Sequence, residues 1–596
     1  MRPYSILAVT ALAATVLWSP ACTSGNSGNA APRLAPVPPQ RTTGGAFTLD
    51  LGPYATDREG GTLVFDVVSG GGSFAGSVYS NTFDTMGSYG VVFRVTDPEG
   101  KFALGTFEVD VTAATFLVDR QDQSGLALID AATAASVQIA AGTATPSLAA
   151  GLADGRLCYQ IAHGTGTQLW LFDPMTRKNT RIAENAANDV LFRAKTSTGS
   201  LVFTTGSAAD TDLYLFETAT GMLREISAQA GEVDGNPMVN AEDLVFYERG
   251  SLGQADIWYY DPEALASTAV STAPTDERLL AVLPDGGAVF SRVGAAGETD
   301  LFYFRRGSGL VEIAGNSASL VGLDKSYAGT TTDSRVVFTA MNGADREIHC
   351  WNPADGQTTA IATGAVYGVE AIAAGNELVY RRDVSASERD LYFRDLDTGV
   401  TATVRDSTDV SQFLAVTGAS GTNWAIVQGG GSPTAVDAVS LAASPTIVTL
   451  TGAAAEQFQA VLPNGDVVVR TADGARVDVF DVSAGSWSGF AGVGISYAGP
   501  GVDAGDFVYS ETAGGDADLY LWDASASTSV PVSTAAGTDL FQCAAAGRLF
   551  FTNDGSTHAD LFVFDPATSA STQVTGPDGA GQSHDHTVLG TYVGSR

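Results

Sequence analysis

Asp212-Leu-Tyr-Leu-Phe-Glu217 is a short apolar run opened and closed by an acid, and near-copies of it recur along the chain. They stand at Gln168 (QLWLFD), Asp256 (DIWYYD), Asp300 (DLFYFR), Glu347 (EIHCWN), Asp390 (DLYFRD), Asp518 (DLYLWD) and Asp560 (DLFVFD). Weaker copies sit at Gly125 (GLALID), Val436 (VDAVSL) and Arg476 (RVDVFD), which makes eleven. Successive copies lie about 40 to 47 residues apart, the period of a four-stranded blade and too long for a leucine-rich repeat or a tetratricopeptide. Successive residues of a strand face opposite sides. Leu213, Tyr214, Leu215 and Phe216 are all apolar, so this strand must be covered on both faces. A sheet held between two like sheets meets that need.

Each unit repeats one grammar. In the fifth, an inner strand near Leu279 to Leu283 meets the turn Pro284-Asp-Gly-Gly287 and a second strand, Ala288 to Arg292. A Gly-rich loop, the Asp300 strand and Val311 to Ile313 follow. Turn residues fall where a hairpin needs an unusual or preset φ, with β-branched and aromatic residues between them. No helical period persists beyond a turn or two. The segments LPDGGAVFSRVGAAGETDLFYF (283 to 304) and LPNGDVVVRTADGARVDVF (462 to 480) resemble the WD40-like repeats of TolB-type and tricorn-type propellers. The resemblance covers roughly residues 114 to 596. It implies a fold and leaves function open.

The first unit begins at its second strand, Thr115 to Val118, and lacks an inner one, while Thr587 to Val593 is a strand-like remainder after the last. The C-terminal strand is therefore expected to complete the first sheet, which removes the edges an open arrangement would expose. Eleven blades exceed the usual four to eight. The chain is read as one oversized ring or, by preference, as two rings of about five and six blades, with Ser317 to Arg335 as a candidate crossover.

The 596 residues carry 31 Lys plus Arg against 66 acids, a net charge of −35. Such a surface repels phosphate backbones and anionic lipid, which argues against nucleic acid and against membrane attachment through basic patches. Residues 1–22 read as a signal peptide: Arg2, an apolar core from Ile6 to Trp18, then Ser19-Pro-Ala-Cys22. Cys22 resembles the acylated cysteine of bacterial lipoproteins, with Ser19 and Pro20 departing from that pattern; plain cleavage after Ala21 is the alternative. Residues 23–41, Gly/Ser/Asn-rich and then Pro-rich, read as a flexible linker. The expected address is the cell envelope, lipid-anchored at the outer membrane or cell surface, and otherwise periplasmic or secreted.

Residues 42–113 have another grammar, with alternating strands at Phe47 to Leu51, Thr62 to Val67, Ser73-Phe74, Gly90 to Val95 and Phe107 to Val111. ATDREGGTLVFDVVSG followed by GSYGVVFRVTDPEGKFALGTFEVDV resembles a bacterial cadherin-like or immunoglobulin-like module, which implies a β-sandwich. Some relatives bind calcium through acids at strand ends. Asp57, Glu59, Asp97 and Glu99 occupy comparable turns and are the calcium candidates, with solvated turn acids as the plainer account.

Other chemistry is thin. Cys158, Cys350 and Cys543 lie in different repeats on apolar strands and read as buried filler. No CxxC, GxSxG, HExxH or P-loop motif is present. His584 and His586 would share a strand face and are weak candidates for a transition metal, though no third ligand can be named. His163, His349 and His558 are isolated. The repeated Asp212, Asp256, Asp300, Asp390, Asp518 and Asp560 are expected to cap hairpins through backbone N–H groups, so no catalytic residue is assigned. The sequence points to an all-β, non-enzymatic binding or scaffolding protein that takes a protein, peptide or glycan partner, without cofactor unless calcium. The alternative is a secreted hydrolase or lyase acting on polysaccharide or peptide, which requires acids and a basic or aromatic group converging at a funnel.

Overall fold

The structure, a computed structural model, describes residues 31–594 apart from short stretches, the longest of them 575–585. The described residues contain no α-helix, and none of their helices is long and apolar enough to cross a membrane. The chain divides into two compact units, Met1–Thr112 and Ala113–Arg596.

In the first unit a four-stranded sheet (Gln40–Thr42, Phe102–Val111, Gly87–Thr96, Val64–Ser69) and a three-stranded sheet (Gly45–Asp50, Val78–Phe83, Ser73–Ala75) share one core. Leu51, Phe65, Tyr79, Val91, Phe93 and Phe107 fill it. Tyr79 meets Phe107 edge to face, 5.2 Å between centroids, the arrangement favoured by ring quadrupoles. The linker reading needs correction at its end. Arg33–Leu34 pairs with Ala55–Thr56, and Gln40–Thr42 runs parallel to Val109 to Val111. Both spend their backbone groups on a sheet.

The second unit is a succession of four-stranded antiparallel meanders. The sheet at 277–312 is representative, with strands Glu277–Val282, Ala288–Val293, Thr299–Arg305 and Gly309–Glu312 in spatial order. The sheets at 190–227 and 233–269 are joined by one parallel bridge, Thr211 to Val233. Among the described residues eleven such meanders are traced, and the first is completed by the C-terminal strand as expected: Ala114–Gln121 pairs with His586–Gly594 from Gln121 opposite His586 to Ala114 opposite Gly594.

Packing follows chain order. The two-faced strand inferred from Asp212 to Glu217 has Leu213 and Leu215 in the core shared with Val245 and Tyr247 of the following sheet. Phe216, on the other side, packs with Leu169 and Leu171 of the preceding one. Every later seam repeats this, and Ile129 of the first sheet shares a core with Phe550 and Leu561 of the last. The preference for two rings is therefore not upheld, since an inserted ring would need a sheet packed out of chain order. Nor is 317–335 a crossover. Leu320 lies in the ordinary core between the fifth and sixth sheets, and Asp324–Thr330 is itself an inner strand.

Two devices recur. Aromatic side chains of the second and third strands stack across the ladder, as in Phe203 on Tyr214, Tyr380 on Tyr392 and Phe551 on Phe562, which adds to area burial. The first strand of each sheet carries a register shift at one place, as between Leu279 and Ala281 or Val369 and Ala371. That bulge strengthens the local twist and leaves an extra residue on the inner strand.

Candidate binding face

The inner strands begin, and the hairpins between second and third strands turn, on one face of each sheet. The turns between first and second strands lie on the other face, where neighbouring sheets are laced together. Ser197 donates its backbone N–H to Asp243 (2.6 Å), Asn240 its side-chain amide to the Gly286 carbonyl (2.6 Å), and Asp285 its backbone N–H to Ser334 (2.9 Å). The hairpin face is laced likewise: Asp210 accepts from the Gly231 amide (2.9 Å), Asp276 from Ala255 (3.0 Å) and Asp324 from Thr299 (2.9 Å).

On the hairpin face Asp300 meets the start of the next sheet's inner strand, and Asp390 a tyrosine of its own strand. The expectation that they cap hairpins is not what the structure shows. Asp300 receives Lys325 Nζ at 2.5 Å, and Asp390 receives the Tyr392 hydroxyl at 3.4 Å. Capping falls instead to the acids that close the third strand. Asp261 accepts from Glu263 and Ala264, Asp395 from Asp397 and Thr398, and Asp481 from Ser483 and Ala484. The closing acid stands two or three residues before those amides, within reach of an Asx turn; the opening acid is a whole strand away.

The seams follow a charge logic set by register. Between the third and fourth sheets, Asp234 stands opposite Arg249 in the ladder, and the Arg249 guanidinium bonds Glu232 at 2.6 Å instead. Between the fourth and fifth, Glu277 pairs with Arg292. The Glu277 carboxylate accepts from Arg292 (2.7 Å), Ser271 (2.6 Å) and the Ile257 amide of the preceding sheet (3.1 Å). Between the fifth and sixth the inner residue is Lys325, its ladder partner is Ala340, and Asp300 supplies the charge. Between the sixth and seventh the inner residue is Tyr367 and its partner is Arg382, opposite Asp390 on the third strand.

Asp234 is fully buried and its carboxylate oxygens lack hydrogen-bond partners. Burial pushes its pKa up to about 6, with Ser227 and Arg249 pulling the other way. Asp539, 1 % exposed, is raised by burial too, and accepts from Asn553 at 2.7 Å. No dissolved substrate touches groups so enclosed.

Two recesses open on the hairpin face. One, of about 410 Å³, lies between the sixth and seventh sheets and is lined by Asp324, Ser326, Met341, Arg346, Gly368 and Arg381 among others. The other, of about 370 Å³, lies between the second and third and is lined by Asn188, Asp189, Arg193, Thr204 and Ser207 among others. Arg193 donates to Thr204 at 3.0 Å. Sequence reasoning missed both, because each is assembled from residues about 15 to 50 positions apart whose types are ordinary for loops.

The remaining sequence candidates fall as follows. Cys22, Glu59, His558 and His584 lie outside the described residues, and of His586 only the strand backbone is described. The turns of Asp57 and Asp97 lie side by side, since a Cβ on Gly61 would stand 2.8 Å from Pro98. Asp57 accepts from Gly61 (2.6 Å) and Asp97 from Lys101 (2.8 Å), so each acid serves its own turn. One Asp57 oxygen is buried without a partner, and Glu99 is exposed. Among the described residues no three His, Cys, Asp or Glu side chains are placed to hold a metal ion. Cys158 and Cys350 are buried and Cys543 is partly so, all as free thiols. Burial pushes Cys350 up to about 11 and Cys543 up to about 12, away from thiolate chemistry. His349 lies 3.2 Å from Glu347, stacked on Phe338, and burial lowers its pKa. His163 is half-buried in the second strand of its sheet.

No family model matches the chain, and no curated protein matches it. Several solved structures are similar. TolB from Acinetobacter baumannii shares 11% identity over 59% of this chain and 82% of its own, with a TM-score of 0.24. The β-propeller domain of the Trilobed protease from Pyrococcus furiosus, described as having an open velcro topology, shares 15% over 54% of this chain and 93% of its own, TM-score 0.25. The tricorn protease shares 11% over 72% of this chain, TM-score 0.20, and the match spans only 44% of its own length.

Proposed function

We propose that the chain is an exported, envelope-anchored, non-enzymatic binding or scaffolding protein that presents the hairpin face of its propeller to a protein, peptide or glycan partner. We infer with it that the eleven sheets close as a single ring, because their cores pair in chain order and the last pairs with the first. The observation that carries the binding reading is the division of labour among polar groups. Asp234 and Asp539, raised by burial, are sealed inside seams, whereas each solvent-open recess holds a single acid, Asp189 or Asp324, among arginines and hydroxyls suited to contact. An immunoglobulin-like or cadherin-like module at 42–113 would act as a spacer above an anchor at Cys22.

A photo-crosslinking residue at Ser326 on this face, compared with one at exposed Leu310 on an outer strand, tests the reading in cells. Discrete adducts from position 326 alone are expected. Equal labelling from both positions, or turnover of a peptide or polysaccharide by the purified chain that is lost with one carboxylate, would favour the hydrolase or lyase. The anchor is tested separately: Cys22→Ala should abolish incorporation of labelled fatty acid.

A further inference from the structure

Three seams share one register and meet their buried acids in different ways. Asp234, Glu277 and Lys325 hold the same inner-strand position: Asp234 stands opposite Arg249 and then Asp256, Glu277 opposite Arg292 and then Asp300, and Lys325 opposite Ala340 and then Glu347. Glu277 is satisfied by the chain, since Arg292, Ser271 and the Ile257 amide all donate to it. In the next seam the chain supplies the cation itself, Lys325 against Asp300. In the seam of the third and fourth sheets it does neither. Arg249, the residue opposite Asp234, donates to Glu232 (2.6 Å) and to Gln229, and lies 4.8 Å from the Trp258 ring centroid.

The groups left around Asp234 are oxygens. The parallel bridge of Thr211 to Val233 sets Asp212 beside Asp234 across the seam. Ser227 ends the fourth strand opposite Leu213. It stands close enough to pull down the pKa of both Asp234 and Tyr247, yet outside hydrogen-bond reach of either. Both Asp234 carboxylate oxygens, the Ser227 hydroxyl and the Tyr247 hydroxyl are buried without a hydrogen-bond partner among the described residues. Asp234 and Tyr247 have no exposed surface, and Ser227 is 6 % exposed. Buried polar atoms are nearly always paired, so a cluster that the chain leaves unpaired points to a bound species.

We propose that a calcium ion binds in this seam, held by the Asp234 and Asp212 carboxylates and the Ser227 and Tyr247 hydroxyls. It does here what the Lys325 ammonium does between the fifth and sixth sheets. The donors are all hard oxygens, a set that suits calcium and not a transition metal. Two carboxylates balance a doubly charged ion. Magnesium fits less well, because it demands near-ideal octahedral geometry and gives up its waters reluctantly. Two acids and two hydroxyls make the set, so it is distinct from the three-acid cluster that the described residues lack. Asp212 is only partly buried and gives the ion its way in. The site is independent of what the hairpin face binds.

The test uses the full chain stripped with EDTA, followed by calorimetry as calcium chloride is returned and by terbium luminescence excited through tyrosine. Calcium at about 1 mM, within the range of extracellular modules, should raise the melting temperature of the second unit by at least about 2 °C. Terbium, a luminescent stand-in for calcium at oxygen sites, should light up and be displaced by calcium. Asp234→Asn should fold in EDTA at least as well as the native chain and lose the calcium response. Tyr247→Phe should cut the terbium signal several-fold. Asp234→Lys rebuilds the Lys325–Asp300 pair against Asp212 and should melt in EDTA as high as the native chain does in calcium. Glu263→Gln, at an exposed acid of the fourth sheet, removes the same charge and should change nothing. Absence of a calcium response in the native chain, an equal response to magnesium, or a response that Asp234→Asn retains overturns the proposal.

Discussion

Replacing Asp300 by alanine removes the sole charge partner of Lys325 among the described residues. That lysine side chain has no exposed surface, its Nζ lies 2.5 Å from Asp300 Oδ1, and its ladder neighbour is Ala340, which offers no side-chain acceptor. At an effective dielectric constant of about 20, a unit-charge pair at this separation attracts by roughly 7 kcal/mol, of which desolvation takes back several. Breaking such a pair from one side costs about 3 to 5 kcal/mol, because the remaining charge is left buried. Asp300 is itself partly exposed, which places the expectation near the lower end. A loss of about 3 kcal/mol is more than a hundredfold in the opening equilibrium, at about 1.4 kcal/mol per decade. Hydrogen exchange should report it as at least a hundredfold drop in protection of amides in Thr299–Arg305 and Asp324–Thr330, with the first unit unaffected. Lys325→Met, which leaves the carboxylate able to hydrate, should cost much less, and the double variant should recover most of the loss. A drop below tenfold in Asp300→Ala, or a Lys325→Met as damaging, would refute the claim that this pair holds its seam. By contrast Asp66→Asn, which breaks a half-exposed bridge to Arg94, should cost no more than about 1 kcal/mol.

Other outcomes follow from the same geometry. Asp234 is held near 6, above its unfolded value, so the fold binds the proton more tightly; the stability this contributes is present at low pH and lost as pH rises from about 4 through 6. Asp234→Asn should therefore gain on the native chain across that window, by no more than about 2 to 3 kcal/mol, and parallel melting curves from pH 4 to 7 would contradict it. Deleting 586–596 strips Ala114–Gln121 of its partner strand and should yield concentration-dependent aggregation in light scattering, since an unpaired edge is a template for association. Asp481→Ala removes the acceptor for the Ser483 and Ala484 amides and should cost about 1 kcal/mol in denaturant midpoint measurements.

The sequence by itself determined the repeat, its strand class and its closure. A run such as Leu213 to Phe216, apolar on both faces, can only be a strand covered on both sides, and the missing inner strand at Thr115 has its match at Thr587 to Val593. Those inferences need only the two-residue period and the cost of an unpaired edge, which are local. Tertiary structure decided the rest. Whether the sheets pack in chain order depends on which faces meet, and Ile129 against Phe550 is separated by most of the chain. Which acid of each repeat caps its turn depended on reach: Asp481 is near the amides, while Asp300 is handed to a lysine of the next sheet. The recess at Arg346 and Arg381 was illegible for the same reason. Its walls come from two successive sheets, and which strands face one another is a property of the folded chain.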